Sequence, residues 1–107
     1  MENKIIAIGS DHGGFELKQE ILKYLTEKNI EYKDFGCYDE TSCDYTEYGK
    51  AVAEAVAAGK YEKGILICGT GIGISITANK VKGIRCALCS DCFSAEATRE
   101  HNDANIL

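Results

Sequence analysis

Two glycine-rich segments hold the residues of this 107-residue chain that are best suited to chemistry. The first is Gly9-Ser10-Asp11-His12-Gly13-Gly14, and the second runs from Cys68 to Ser75 as C-G-T-G-I-G-I-S. Alternate glycines let a backbone turn tightly and direct successive N–H groups inward, where the following helix adds its positive end. The second segment therefore predicts a cradle for an anion. It is not a dinucleotide fingerprint, because Ile74 occupies the last glycine position.

Cys68 is the candidate base or nucleophile of the second segment. It ends an apolar run and immediately precedes the predicted start of a helix, where the helix dipole and backbone amides favour a thiolate. The alternative is a small apolar residue that closes a buried strand. Thr70, two residues on, either donates a hydrogen bond to a substrate oxygen or caps the turn.

Asp11, His12 and His101 are the candidate acid–base and anion-binding groups. His12 could bind an anion while Asp11 handles a hydroxyl proton, or Asp11 could simply cap the first helix beside an exposed His12. His101 precedes the last predicted strand, so it is expected at the amino-terminal edge of the sheet. A five-residue strand is about 16 Å long. A catalytic His101 would therefore serve a neighbouring subunit, and the alternative is a surface cluster that ends a helix.

The chain has six cysteines, and three of them form the run Cys86-x-x-Cys89-x-x-Cys92, a spacing that could indicate a metal or redox site. A ferredoxin-type run needs a fourth cysteine where Glu96 stands. Zinc would need a second ligand pair, and Cys37 and Cys43 are poorly spaced for one. We therefore expect thiols and no metal.

Composition narrows the class of protein. Twelve basic and seventeen acidic residues give a net charge of −5, which argues against binding to nucleic acid or an anionic membrane. The chain has 45% hydrophobic and 27% charged residues and no apolar run long enough to span a bilayer. The amino terminus lacks the pattern of a signal peptide. These features predict one cytoplasmic globular domain over residues 1–107.

Apolar runs alternate with amphipathic stretches, which predicts a parallel α/β sheet with right-handed crossovers. The predicted strands are 5–8 and 65–68 in the centre of the sheet, 30–35 at an edge and 84–89 as a further candidate edge, and a fifth begins at 105–107. The first helix is predicted to have an apolar face of Leu17, Ile21, Tyr24 and Leu25. Its other, exposed faces carry Glu16, Lys18, Gln19, Glu20 and Lys23. The later helices are expected from Asp44 to Gly59, from the second glycine segment to Gly83, and from Cys92 to His101. Ligands bind such sheets at the carboxyl ends of adjacent strands, so Asp11, His12 and Cys68 should share one crevice.

The glycine segments, Asp44-Tyr45, Ala78-Asn79-Lys80 and the run from Arg99 to Asn105 together closely resemble the type B ribose-5-phosphate isomerases. The resemblance covers essentially the whole chain. It implies a three-layer α/β/α, Rossmann-like fold with strand order 2-1-3-5-4, assembled into homodimers or homotetramers. It also implies interconversion of ribose 5-phosphate and ribulose 5-phosphate without a metal or organic cofactor. Members of that family continue beyond the fifth strand, which is cut short here, so this chain corresponds to the part before it.

The resemblance also implies roles for individual residues. Cys68 is expected to move the proton between two carbons, assisted by Thr70, while the amides of Gly69, Thr70, Gly71, Ile72 and Gly73 stabilise an enediolate. Asp11 and His101 would open the sugar ring, with His101 donated across the dimer. Substrate binding is expected from Asn102, from His12 at the phosphate, and from Tyr45 at the pocket wall.

Other functions fit the same residues. A galactose-6-phosphate isomerase subunit shares the Cys-Gly-Thr-Gly loop, although the His101-Asn102-Asp103 segment favours the ribose enzyme, and allose 6-phosphate is a further candidate substrate. A non-catalytic module that binds a sugar phosphate is the alternative from outside enzymology.

Overall fold

The chain folds into a parallel sheet covered by helices, in a computed structural model that describes residues 5–36 and 45–107. The strands are β1 (Ile6–Ser10), β2 (Tyr32–Asp34) and β3 (Lys63–Ile67), and the helices are α1 (Phe15–Glu27), α2 (Tyr45–Ala57), α3 (Ile72–Asn79) and α4 (Cys92–Ala97). A 3₁₀ turn at His12–Gly14 precedes α1, and a π-helical turn at Thr98–Asn102 follows α4. The predicted capping residue Asp44 and the side chain of Tyr45 lie outside the described residues.

The sheet has the order β2-β1-β3, which confirms the predicted central place of the first strand and edge place of the second. Its strands are parallel, with Ile8 level with Asp34 on one side and Ile65 on the other. Ile106 forms a parallel bridge with Gly64 of β3 and another with Cys86. The chain end therefore lies between β3 and the segment around Cys86, in agreement with the order 2-1-3-5-4.

The strand predicted over residues 84–89 does not form at that length. Hydrogen bonds of the ladder type reach only from Arg85 to Ala87, through the carbonyl of Arg85 and the N–H of Ala87. On the other side, the pairing partners are Asn105 and Ile106. From Leu88 onward the chain turns toward α4, whose first turn is capped by the Asp91 carboxylate.

Both faces of β1 are buried, which explains its unbroken apolar sequence. Ala7 belongs to the main core cluster with Val52 of α2 and Ile74 of α3. Ile8 points to the opposite face and is also fully buried. The sheet is thus a central layer between helices, as the three-layer expectation requires.

The helices depart from their predicted limits and faces at identifiable places. Leu17 and Tyr24 of α1 are 55% and 56% exposed, so they do not belong to its buried face. Lys18, which the polar pattern places on the surface, is fully buried. Helix α3 ends at Asn79 rather than at Gly83, and the last predicted helix divides into α4 and the π-helical turn. No helix in the described parts of the chain is long and apolar enough to cross a membrane.

Candidate active site

The two glycine segments meet at the carboxyl edge of the sheet. The N–H of Asp11 donates a hydrogen bond to the carbonyl of Ile67, the last residue of β3, across 3.2 Å. A Cβ on Gly13 would lie 3.5 Å from the nitrogen of Gly69, and one on Gly14 would lie 2.5 Å from the Ile67 carbonyl oxygen. The absence of a side chain at Gly14 therefore lets the first segment sit directly against the end of β3, as predicted for a shared crevice, whereas a Cβ on Gly13 would only make ordinary van der Waals contact.

The sulfur of Cys68 lies at the start of α3. Its side chain is only partly buried, and the backbone N–H of Gly71 donates a hydrogen bond to Sγ across 3.1 Å. Gly71 caps α3 with a left-handed backbone, φ 80°, which glycine adopts without strain. The turn thus fixes the sulfur beside the positive end of the helix.

Thr70 and two of the loop amides serve the turn itself. The Thr70 hydroxyl oxygen accepts a hydrogen bond from the N–H of Ile72 across 3.1 Å, so the predicted capping role is present. The N–H of Gly71 is occupied by Cys68. Within the described chain, the N–H groups of Gly69 and Thr70 donate no hydrogen bond.

Asp11 and His12 occupy the 3₁₀ turn on the other side of the crevice. One carboxylate oxygen of Asp11 accepts the N–H of Gly14 across 2.9 Å and caps this turn, so the capping alternative is realised. The side chain of Asp11 remains partly exposed and that of His12 is exposed. The second carboxylate oxygen of Asp11 has no hydrogen-bond partner among residues 5–36 and 45–107.

His101 and Asn102 are not brought to this crevice within one chain. Both are exposed on the π-helical turn. The neighbouring residues Thr98 and Arg99 line a cavity together with Ile6 and Lys63, the first residues of β1 and β3. The turn therefore lies at the amino-terminal edge, the length of a strand away from Cys68, as the sequence argument anticipates.

Two features near the crevice escape sequence reasoning. Leu88 follows the short pairing segment and reaches the glycine loop, where its Cδ1 would be 2.6 Å from a Cβ on Gly71. Buried Lys18 donates to both carboxylate oxygens of Asp34 at the end of β2, across 2.7 and 2.9 Å. Neither partner is close in sequence, so hydropathy and spacing carry no signal for these contacts.

Cys86, Cys89 and Cys92 are free thiols, the first two partly buried and the third exposed. Burial, and secondarily the charge of Cys89, raises the pKa of Cys86 to about 11. Burial and the charge of Asp91 also raise the pKa of Cys89. Among residues 5–36 and 45–107, no three His, Cys, Asp or Glu side chains converge to hold a metal ion. Cys37 and Cys43 lie outside these ranges.

Comparison with known proteins agrees with this arrangement. A putative sugar phosphate isomerase of Bacillus subtilis is 60% identical over 103 residues, covering 95% of this chain and 69% of the relative. The ribose-5-phosphate isomerase B of Escherichia coli is 52% identical, covering 97% and 70%. The structure of Clostridium thermocellum ribose-5-phosphate isomerase B superposes with a TM-score of 0.94 at 55% identity, over 96% of this chain and 70% of that one.

Another similar protein is named for a different isomerase reaction. The galactose-6-phosphate isomerase subunit LacB of Clostridium acetobutylicum is 45% identical over 96% of this chain and 60% of its own length. Residues 6–107 match the model of the Ribose/Galactose Isomerase family. The match spans nearly the whole chain and includes both glycine segments, and the chain therefore belongs to the Ribose/Galactose Isomerase family.

Proposed function

We propose that the chain is a cytoplasmic aldose–ketose isomerase that interconverts ribose 5-phosphate and ribulose 5-phosphate, without a metal or organic cofactor. The observation that carries the proposal is the contact between the Asp11-His12 turn and the Cys68 loop at one edge of the sheet. Acid–base side chains and unoccupied backbone donors then face the same small crevice. The names of the similar proteins support the same class of substrate.

Cys68 is the proposed base. Its thiolate takes the C2 proton of open-chain ribose 5-phosphate and returns it to C1, while the proton on O2 is replaced by one on O1. The Gly71 N–H bond holds the sulfur and stabilises its negative charge. A base at a fixed position is what proton transfer between adjacent carbons requires.

The enediolate needs donors directed at its oxygens. Gly69 and Thr70 supply the N–H groups that the turn leaves unused, and Gly73 adds one from the first turn of α3. The amides of Gly71 and Ile72 contribute indirectly, because they hold Cys68 and Thr70 in place. The Thr70 hydroxyl keeps its own proton to donate.

The remaining roles concern the ring and the phosphate. Asp11 and a His101 from a partner subunit exchange the protons that open the furanose ring. Asn102 of the same partner turn binds the sugar. His12 contacts the phosphate and Tyr45 lines the pocket. Because Asp11 and His101 lie at opposite edges of one sheet, a site that uses both residues requires at least a homodimer.

An apolar surface beside the crevice supports such a dimer. Ile72 and Ile76 are one turn apart on α3 and are 51% and 54% exposed. Leu88, 51% exposed, contacts the loop immediately before them. We propose that a second copy covers these side chains and places its own π-helical turn at the crevice. The same arrangement would serve a homotetramer built from two such dimers.

Turnover of ribose 5-phosphate, galactose 6-phosphate and allose 6-phosphate by the full chain tests the proposal. We expect turnover of the ribose compound, with Cys68→Ala as the inactive control and unchanged circular dichroism. Exclusive turnover of galactose 6-phosphate would replace it with the LacB-like activity. Binding of all three compounds without turnover would assign a sugar-phosphate binding module instead.

A further inference from the structure

The π-helical turn that carries His101 and Asn102 is held by hydrogen bonds from two arginine side chains, Arg85 from another segment and Arg99 from the turn itself. Arg85 Nε donates to the carbonyl of Asn102 across 2.7 Å. Arg99 Nη1 donates to the carbonyl of Ala104 and to the Asp103 carboxylate. The last carbonyls of any helix lack intrahelical donors. Arg85 therefore supplies a donor that the turn lacks for its last carbonyl, while Arg99 ties the turn to the residues that follow it.

The turn is an unusual backbone that needs such support. π-helical geometry is rare and inserts an additional residue into a helical turn, which redirects the side chains that follow. Asp103 then adopts φ 51°, a left-handed conformation that costs a non-glycine residue energy. Only contacts from elsewhere in the fold can hold two unfavourable features side by side.

Arg85 can supply such a contact because hydrogen bonds to Asn105 fix its own backbone. Its N–H donates to the Asn105 side-chain oxygen across 2.9 Å, and its carbonyl accepts the Asn105 N–H across 3.0 Å. The Asn105 side chain also donates to the carbonyl of Gly83. In the described chain, Arg85 forms no ion pair, so its side chain acts through this directional bond.

We propose that Arg85 is a positioning residue: its Nε–H bond to the Asn102 carbonyl sets the orientation of His101 and Asn102 toward the crevice of the partner. The inference rests on the proposed function, which gives His101 the ring-opening step. Because His101 acts in ring opening, substitution of Arg85 should slow the reaction of a cyclic substrate more than the reaction of an acyclic one. Ribulose 5-phosphate is acyclic, because its 5-oxygen is esterified.

The test compares Arg85→Gln and Arg85→Lys with Lys82→Gln, an exposed cation three residues earlier. Misplacing a catalytic group by about 1 Å costs about 100-fold. We expect both Arg85 variants to lose 10- to 100-fold (on the order of that figure) in kcat on ribose 5-phosphate. Solvent deuterium uptake into saturating ribulose 5-phosphate needs Cys68 and the loop amides but no ring opening by His101, so it should stay close to the parent rate. Lys82→Gln should match the parent in both assays.

A second readout does not depend on activity. The imidazole proton resonances of His101 should shift or broaden in both Arg85 variants and stay unchanged in Lys82→Gln. Unchanged resonances together with unchanged kcat would overturn the inference, as would full rescue by lysine, which keeps the charge but not the Nε donor. If the parent chain turns over no sugar phosphate, the proposed function fails, and the resonances still decide the role of Arg85.

Discussion

The N–H of Gly71 points at the sulfur of Cys68 and lies 3.1 Å from it, within a turn that no other residue type could form without strain. This contact ties the proposed base to the first turn of α3, so the sulfur cannot move independently of the glycine loop. The position of the proposed base therefore depends on the conformation of this loop.

Substituting Gly14 should disturb the contact between the two glycine segments. A Cβ there would lie 2.5 Å from the Ile67 carbonyl oxygen and 2.7 Å from its carbon, and backbone atoms cannot rotate away. We expect Gly14→Ala to lower the free energy of unfolding by about 1–3 kcal/mol, the usual cost of overpacking. Gly69→Ala is the matched control, because no atom lies within 4 Å of a Cβ at that position. Equal urea midpoints for both variants would contradict this account.

Gly71 should be intolerant of substitution for two separable reasons. Its φ of 80° costs an alanine about 1–2 kcal/mol. In addition, a Cβ would meet Leu88 Cδ1 at 2.6 Å. Because Leu88 is a flexible side chain, Gly71→Ala combined with Leu88→Ala should recover the steric part of the loss and keep the conformational part. In urea unfolding, the stability regained from the single to the double variant measures the steric contribution. The loss that remains in the double variant measures the conformational contribution. Complete recovery in the double variant would show that the left-handed backbone is not required.

The buried Lys18–Asp34 pair should respond asymmetrically to substitution. Asp34→Asn removes the charge partner of an ammonium group whose side chain is 0% exposed, which costs about 3–5 kcal/mol. Lys18→Met leaves the Asp34 carboxylate, which is 21% exposed and can draw on water, so its cost should be smaller. Urea unfolding of the two variants at neutral pH checks the order. A larger loss in Lys18→Met would contradict it.

Alkylation with iodoacetamide should distinguish the thiols by pH. Only the thiolate reacts, and burial followed by the charge of Cys89 raises the pKa of Cys86 to about 11. The thiolate fraction of Cys86 should therefore rise about tenfold per pH unit from pH 8 until it approaches that value. Peptide mapping by mass spectrometry follows Cys86 separately from exposed Cys92. A Cys86 rate that levels off below pH 9 would show that its thiol is not protected as described.

The proposed sharing of the site can be tested by mixing inactive chains. Cys68→Ala retains His101, and His101→Ala retains Cys68. If each site takes one residue from each subunit, a randomised equal mixture should regain about a quarter of the parent activity, because half of the dimers contain one intact site. No recovery in a mixture that demonstrably exchanges subunits would place both residues in one chain.

The sheet could be predicted because its strands are short apolar runs between helical patterns. The unbroken Ile5–Ile8 run indicates a strand buried on both faces, and the charged run at 30–35 indicates an edge. The meeting of the two glycine segments followed from that topology and parallel strand direction. These are features that local sequence determines.

The remaining features depend on contacts between distant parts of the chain. Lys18 is buried because Asp34 lies beside it, and nothing in the α1 pattern indicates that partner. The segment at 84–89 has the composition of a strand, but its ladder hydrogen bonds to Asn105 and Ile106 are confined to Arg85 and Ala87. The π-helical turn has no hydrophobic period of its own and is stabilised by Arg85 from another segment. No single-element pattern contains this information.

The most direct test of the account measures solvent deuterium uptake into ribulose 5-phosphate by the full chain and by Cys68→Ala. This exchange needs the base but neither ring opening nor His101. Loss of a general base reduces proton transfer by about 100- to 10,000-fold, and we predict a loss of that size with unchanged thermal unfolding. Exchange by the folded Cys68→Ala variant at the rate of the parent would show that another group moves the proton.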